Sequence, residues 1–245
     1  MATEGENKKS KSSRIFLPKI RINEIWLAPL ERPVLLWMAK RIPPWIYPDH
    51  LTILAVMSAL LIFVSYLLTQ ISLDWLWLAN LGLFLHWLGD SLDGTLARVR
   101  HIEREQYGLF IDHNSDTISI FLICLGVGLS PLMDLRIALF LIISYYALCI
   151  LTYLVSISRG IFKISFAGIG PTEIRFVVIL YNISVWYFKN PEITIVNIKL
   201  TLFSWFGLMT LISFSLGYII CSEIERRKLA RIDPPKKGTF PKVPP

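Results

Sequence analysis

Cysteine and negative charge are both scarce in this chain of 245 residues, which has 3 Cys and only 18 Asp and Glu. The cysteines, Cys124, Cys149 and Cys221, are scattered and lie inside or at the end of apolar segments. They are therefore interpreted as small hydrophobic residues, not as a disulfide framework or a metal site. No apolar core closely follows the polar, basic first residues, so a cleaved secretory signal is not expected.

Apolar residues are abundant instead, at 54% of the chain, and the mean hydropathy is +0.54. They occur in blocks of the length that a membrane-spanning helix requires, about 18 residues or more. We predict an all-α, polytopic membrane protein with six spans: Leu51–Thr69, Asp74–Leu92, Asp116–Leu132, Leu135–Ser158, Ile174–Phe188 and Leu200–Cys221.

The basic residues indicate the orientation of these spans. All but three of the 25 Lys and Arg fall on one side, and the exceptions are Arg136, Lys189 and Lys199. Because cytoplasmic loops are enriched in Lys and Arg, both termini are predicted to be cytoplasmic. The basic residues lie beside apolar spans, so the expected counter-charge is anionic lipid headgroups and not nucleic acid.

The segment before the first span interleaves aromatic and aliphatic residues with charges. Such a pattern favours a helix in the headgroup layer. The predicted organisation is a polar basic tail (residues 1–22), an interfacial amphipathic helix (23–47), a six-helix transmembrane catalytic domain (48–222) and a basic cytoplasmic tail (223–245).

Four aspartates lie where the second and third spans meet their connecting segment. Asp90 and Asp93 are three residues apart, and Asp112 and Asp116 are four apart, so each pair shares one face of a helix. A connection of about a dozen residues would allow the two helices to lie as antiparallel neighbours. The four carboxylates are then expected to converge near the cytoplasmic end of the bundle.

Unpaired carboxylates at such a place are costly, at about 2.5–3.5 kcal/mol for a single Asp at the centre of a membrane helix. No Lys or Arg lies in the apolar part of these two spans, and Arg98 is one charge against four. Carboxylate oxygens favour Mg²⁺, Mn²⁺ or Ca²⁺ over zinc. Two such ions would also suit phosphoryl chemistry, because they can clamp a diphosphate.

Small residues accompany the aspartates, and together they form a pattern with fixed spacing. The segment reads D-x-x-D-G-x-x-A-R, a nine-residue spacer, then G-x-x-x-D-x-x-x-D, from Asp90 to Asp116. This run resembles the signature of the CDP-alcohol phosphotransferase family, and every fixed position matches. The six-span plan is also similar, as is Pro48-Asp49-His50-Leu51-Thr52, which resembles the family's P-N-x-x-T start of the first span with Asp49 in place of Asn.

The resemblance implies a role for each residue of the pattern. Mg²⁺ or Mn²⁺, as two ions, would be held by Asp90, Asp93 and Asp112, with Asp116 completing the site and acting as general base. The CDP group would pack against Gly94, Ala97 and Gly108, and Arg98 would bind its phosphates. Attack of an acceptor hydroxyl on the phosphorus attached to the alcohol would release CMP.

A second resemblance concerns the choline and ethanolamine phosphotransferase subgroup. Asp112-His113-x-x-Asp116 is similar to the D-H-x-x-D of these enzymes, and Gly170-Pro171-Thr172-Glu173 is similar to a G-P-x-E stretch. His113 could then share the role of base with Asp116 or replace it, since the unperturbed imidazole titrates near neutrality. Arg159 and Glu173 are candidates for contact with the substrate phosphate or headgroup.

The substrates stay open at this level. The donor is CDP-diacylglycerol with a small polar alcohol as acceptor, or CDP-choline or CDP-ethanolamine with a lipid alcohol as acceptor. Membrane lipids are expected partners, and homodimers are common in the family. The alternative function is a cation- or proton-coupled transporter that uses the Asp cluster as a relay, but it leaves Gly94, Ala97, Arg98 and Gly108 unexplained.

Overall fold

Seven helices account for most of the fold in the computed structural model, which describes residues 20–22, 27–159, 161–163 and 170–234. They are α1 (Ala28–Ala39), α2 (Pro48–Leu68), α3 (Trp75–Val99), α4 (Glu105–Leu129), α5 (Leu135–Arg159), α6 (Pro171–Phe188) and α7 (Leu202–Ile232). The predicted helical fold class is confirmed. The predicted tails lie outside the described residues, except for 20–22 and for 223–234, most of which continue α7.

Three of these helices, α2, α5 and α7, are long and apolar enough to cross a membrane. The chain is therefore an integral membrane protein. The other predicted spans correspond to α3, α4 and α6, which have 25, 25 and 18 residues. At 1.5 Å per residue, 25 residues reach about 38 Å, which exceeds a bilayer core. These three helices carry the acidic and basic residues of the candidate site, and for them a membrane span stays a prediction.

The connection between α3 and α4 is much shorter than the sequence suggested. It comprises residues 100–104, so all four aspartates lie within helices and not at their margins. Arg100, at the end of α3, donates hydrogen bonds to the backbone carbonyls of Ile46 (2.6 Å), Ile42 (2.8 Å) and Pro43 (2.9 Å). These bonds hold the end of α3 against the segment that precedes α2.

The helix α2 lies between the two helices that carry the aspartates. It packs extensively against both α3 and α4, whereas α3 and α4 hardly contact each other. The prediction that they are direct neighbours is therefore wrong. The physical reason is the close approach of α2: a Cβ at Gly89 would lie 2.5 Å from the Leu51 carbonyl oxygen, and a Cβ at Gly126 would lie 2.9 Å from Cα of Phe63.

The remaining contacts close the six long helices into a ring. Beyond its contact with α2, α3 packs against α6, and α6 touches α7. The helix α5 packs against both α7 and α4. Side chains of α3, α4 and α6 can therefore meet inside the ring.

A buried polar chain fixes α6 against its neighbours. The Tyr66 hydroxyl donates to Asn182 Oδ1 (3.2 Å), and Asn182 Nδ2 donates to Asn80 Oδ1 (2.8 Å). Tyr66 and Asn182 are fully buried. Because buried amides and hydroxyls need partners, this chain specifies how α6 lies on α2 and α3.

The helix α1 is shorter than the predicted interfacial helix, which included residues 23–47. It ends at Ala39, before Pro43 and Pro44, and residues 23–26 lie outside the described part of the chain. Leu35 and Ala39 are buried against α3, whereas Leu30 and Trp37 are exposed. The headgroup location of α1 stays a prediction.

Short strands, which the sequence analysis did not anticipate, supplement the helices. Strand β1 (Ile20–Ile22) pairs in parallel with β2 (Ile161–Lys163). Strands β3 (Glu192–Ile195) and β4 (Ile198–Thr201) form an antiparallel hairpin between α6 and α7. Val196 and Asn197 at its tip have φ of 48° and 63°, which are the positive values of a type I′ turn.

Candidate active site

Three of the four predicted aspartates meet inside the helix ring. Asp90 of α3 and Asp112 and Asp116 of α4 each offer a carboxylate oxygen, and these oxygens lie within 4.8 Å of one another. All three residues are partly buried. Helical spacing accounts for the alignment of Asp112 with Asp116, whereas Asp90 reaches them from α3, on the other side of α2.

The fourth aspartate, Asp93, lies beside this triad but faces α2. Its carboxylate accepts a hydrogen bond from Thr52 Oγ1 (2.7 Å) and another from the backbone N–H of Gly94 (2.5 Å). Four carboxylates were predicted to converge, and three of them do so in the structure. Three residues correspond to about 300° around a helix, so Asp93 is offset from Asp90 by about 60° around the axis of α3. This offset directs Asp93 towards Thr52 of α2.

A cation that the sequence placed only among the basic residues of the cytoplasmic side lies next to the triad. Arg175 Nη2 donates to Asp90 Oδ2 at 2.6 Å, and the two side chains are only 12% and 20% exposed. Arg175 comes from α6 and not from the two helices that carry the aspartates. Its position one turn after Gly170-Pro171, which start the helix, was the available signal.

The triad fits a hard divalent cation. Its donors are all carboxylate oxygens, which Mg²⁺ and Mn²⁺ prefer. Two oxygens on opposite sides of a Mg²⁺ ion are about 4.2 Å apart, so oxygens within 4.8 Å of one another need only small movements to bind one ion. Arg175 pairs with Asp90, and a divalent cation bound by the three carboxylates would supply further positive charge to the cluster.

The residues assigned to the nucleotide lie along the final turns of α3 and the first turn of α4. Arg98 donates to Thr95 Oγ1 (3.1 Å) and lies over Gly94, where an added Cβ would be 3.3 Å from Arg98 Nη1. Ala97 is partly buried. A Cβ at Gly108 would meet no atom of the described residues within 4 Å, so the backbone there is accessible to a ligand.

His113 lies on the same face of α4 as the triad. Its Nδ1 is 4.0 Å from Asp112 Oδ2, and its ring centroid is 5.6 Å from that of Tyr153 on α5. His113 and Asp116 are three residues apart, so both can reach a ligand inside the ring.

Arg159 and Glu173 have protein partners away from the triad. Arg159 forms an ion pair with Glu225 of α7. The Glu173 carboxylate accepts hydrogen bonds from the backbone N–H groups of Leu27 (2.9 Å) and Gly170 (3.0 Å). Neither side chain joins the aspartates, and a contact with substrate stays a prediction for both.

Comparison with known proteins relates this arrangement to a family. The chain is 27% identical to cholinephosphotransferase 1 of Gallus gallus over 196 residues, which cover 75% of this chain and 57% of that protein. It is 31% identical to cholinephosphotransferase 1 of Danio rerio over 107 residues, which cover 39% and 28%. The chain thus spans little more than half the length of the first relative.

The profile of the CDP-alcohol phosphatidyltransferase family matches residues 45–216, a range that includes the whole motif from Asp90 to Asp116. It also includes Thr52 and Arg175, the partners that the structure adds to Asp93 and Asp90. The match extends over more than two thirds of the chain. The chain therefore belongs to the CDP-alcohol phosphatidyltransferase family.

Proposed function

We propose that this protein transfers a phosphoalcohol group from a CDP-linked donor to an acceptor hydroxyl in phospholipid synthesis and releases CMP. The observation that carries the proposal is the triad of Asp90, Asp112 and Asp116, which occupies three positions of the complete family motif. A transporter would explain the acids alone. It would leave the glycines, Ala97 and Arg98 of the motif without a role.

Two divalent ions would be held by the triad together with Asp93. When bound, they supply positive charge that clamps the diphosphate and stabilises the leaving phosphate oxygen. The protein contributes the positioning: the small residues Gly94, Ala97 and Gly108 would pack against the CDP group. Arg98, which lies over Gly94, would present a planar set of donors to the phosphates.

The acceptor hydroxyl must lose a proton, and Asp116 is the proposed base. We expect His113→Ala to lower the transfer rate less than about tenfold, because the four-aspartate motif is complete without the imidazole. The measurement is CMP release by the purified variant, with Asn114→Ala, an exposed neighbour on α4, as the control. A loss of about 10²-fold or more with intact metal binding would instead assign the base to His113.

Arg175 is proposed to balance the charge of Asp90 when no metal is bound. Arg175→Gln would leave Asp90 partly buried without its cation, which costs about 3 kcal/mol of unfolding free energy or more in a buried pair. Unfolding by denaturant in detergent measures the loss. The loss of stability should be larger in chelator than in Mg²⁺, because a bound Mg²⁺ ion would neutralise the Asp90 carboxylate in place of Arg175.

Arg104→Gln provides a matched control for this variant. Arg104 also binds an aspartate, Asp49, at 2.6 Å, but the two side chains are 54% and 43% exposed. Exposed ion pairs contribute about 0–1 kcal/mol, so a small effect is expected. Equal losses in the two variants would contradict the role of Arg175.

The donor is proposed to be CDP-choline or CDP-ethanolamine, with a lipid alcohol as acceptor. Support comes from His113 in the D-H-x-x-D pattern and from the two relatives named cholinephosphotransferase. CDP-diacylglycerol with a small polar acceptor is the second candidate.

The test is incubation of the purified protein with each labelled CDP donor and a panel of acceptor alcohols, with CMP release as the readout. Release with a choline or ethanolamine donor supports the proposal, and release only with CDP-diacylglycerol transfers the assignment to the second candidate. Cation or solute movement by protein in vesicles, without CMP release from any donor, would favour the transporter.

The membrane arrangement is part of the same proposal. All six long helices are proposed to cross the bilayer, with both termini and the aspartates on the cytoplasmic side. The distribution of Lys and Arg supports this orientation. A homodimer is proposed as the assembly because it is common in the family.

A further inference from the structure

Glu31 of α1 connects the two helices that form the Asp90–Arg175 pair. Its Oε1 accepts hydrogen bonds from Trp87 Nε1 (2.7 Å) and Ser91 Oγ (2.9 Å), both on α3. The Thr172 hydroxyl of α6 lies 3.3 Å from each of its carboxylate oxygens. One side chain thus binds donors on two helices that are distant in sequence.

A second carboxylate makes the reverse connection. Glu173 of α6 accepts from the backbone N–H of Leu27, at the start of α1, and from that of Gly170. The beginning of α1 is therefore bound to α6, and the first turn of α1 is bound to both α3 and α6. A carboxylate with several donors is held more rigidly than one in water, because each charge-assisted hydrogen bond restricts its rotamer.

The donors that Glu31 binds are close in sequence to the site residues. Ser91 follows Asp90 directly, and Thr172 precedes Arg175 by one helical turn. Because Glu31 binds both helices, a shift of α6 along α3 would separate Arg175 from Asp90 and would break the contacts of Glu31 with one of the two helices.

We infer that Glu31 is a positioning residue, which sets α6 against α3 so that Asp90 keeps its place in the metal-binding triad. Glu31 acts through Ser91, Trp87 and Thr172 and does not itself touch the ligand. The inference rests on the metal site of the proposed function. The sequence pattern alone would place the Glu31 carboxylate among the lipid headgroups, whereas here it has a role inside the protein.

Mn²⁺ binding to the purified full chain, measured by the electron paramagnetic resonance signal of free Mn²⁺, tests the inference without substrate. Glu31→Ala is expected to weaken Mn²⁺ binding about 10-fold or more, the effect typical of residues that orient metal ligands. Glu31→Gln keeps an oxygen acceptor of the same length and should stay within about 3-fold of wild type. Arg32→Ala, an exposed neighbour on α1, is the control and should bind as wild type does.

Two further variants separate positioning from general destabilisation. Thr172→Val and Ser91→Ala each remove one donor, so each should weaken Mn²⁺ binding less than Glu31→Ala and add little in the Glu31→Ala background. If Glu31→Ala does not fold, unchanged Mn²⁺ affinity in both of these variants would overturn the inference. Equal affinity of wild type and a folded Glu31→Ala would also overturn it, whereas no binding by wild type would refute the metal site itself.

Discussion

Removal of divalent cations with a chelator is expected to abolish CMP release, and Mg²⁺ or Mn²⁺ should restore it. Asp90, Asp112 and Asp116 bring three carboxylates within reach of one ion, and Arg175 pairs with Asp90 by a direct hydrogen bond. Without metal the triad is electrostatically repulsive towards the phosphates of any CDP donor. The expected loss is therefore complete and not partial.

The matched control is the same chelator saturated with Mg²⁺ before it is added, which should leave the rate unchanged. Zn²⁺ is expected to restore activity poorly, since it favours His and Cys ligands that the triad does not offer. Full turnover in excess chelator would contradict both the metal site and the two-ion chemistry proposed here.

Asp112→Asn is expected to lower the rate by about 10³-fold or more. The substitution removes a charged ligand, and each 1.36 kcal/mol of lost transition-state stabilisation lowers the rate tenfold. The metal-free protein should be as stable as wild type or more stable, because one of three mutually repelling carboxylates becomes neutral. Steady-state CMP release and denaturant unfolding in chelator measure the two effects.

Asp134→Asn is the control for this substitution. Asp134 accepts hydrogen bonds from Arg136 and follows the end of α4 at Leu129. That end lies about 20 Å along the helix from Asp116, so the loss of Asp134 should leave the rate intact. An Asp112→Asn variant that keeps more than about a tenth of the wild-type rate would argue against direct metal ligation. If Asp112→Asn is less stable than wild type in chelator, that result would argue against repulsion within the triad.

Residues on the same helix could be assigned to a common face from their spacing in the sequence. Asp112, His113 and Asp116 occur at intervals of one to four residues, and helical geometry alone places the last two on one face. The same holds for Asp90 and Asp93, although only the structure shows that they divide between the triad and Thr52. The membrane character could also be predicted from the sequence, because it depends on local composition. The family motif could be recognised because its residues have fixed spacing.

Partners from distant helices could not be assigned in this way. Arg175 is 85 residues from Asp90, and Glu31 is 141 residues from Thr172. Sequence spacing carries no information on such pairs, since they depend on how the helices pack. The same applies to Arg100, which follows the last residue of α3 and donates hydrogen bonds to the segment before α2.

The sequence by itself therefore determined the helical membrane class, the family and the positions of the aspartates along their helices. Only the tertiary structure decided that α2 separates α3 from α4, that Asp93 turns towards Thr52, and that Arg175 and Glu31 support Asp90. The physical reason is that helical periodicity arises from backbone hydrogen bonds between residues four apart in the sequence. The neighbours of a helix instead follow from close packing, as where Gly89 and Gly126 admit α2 against α3 and α4.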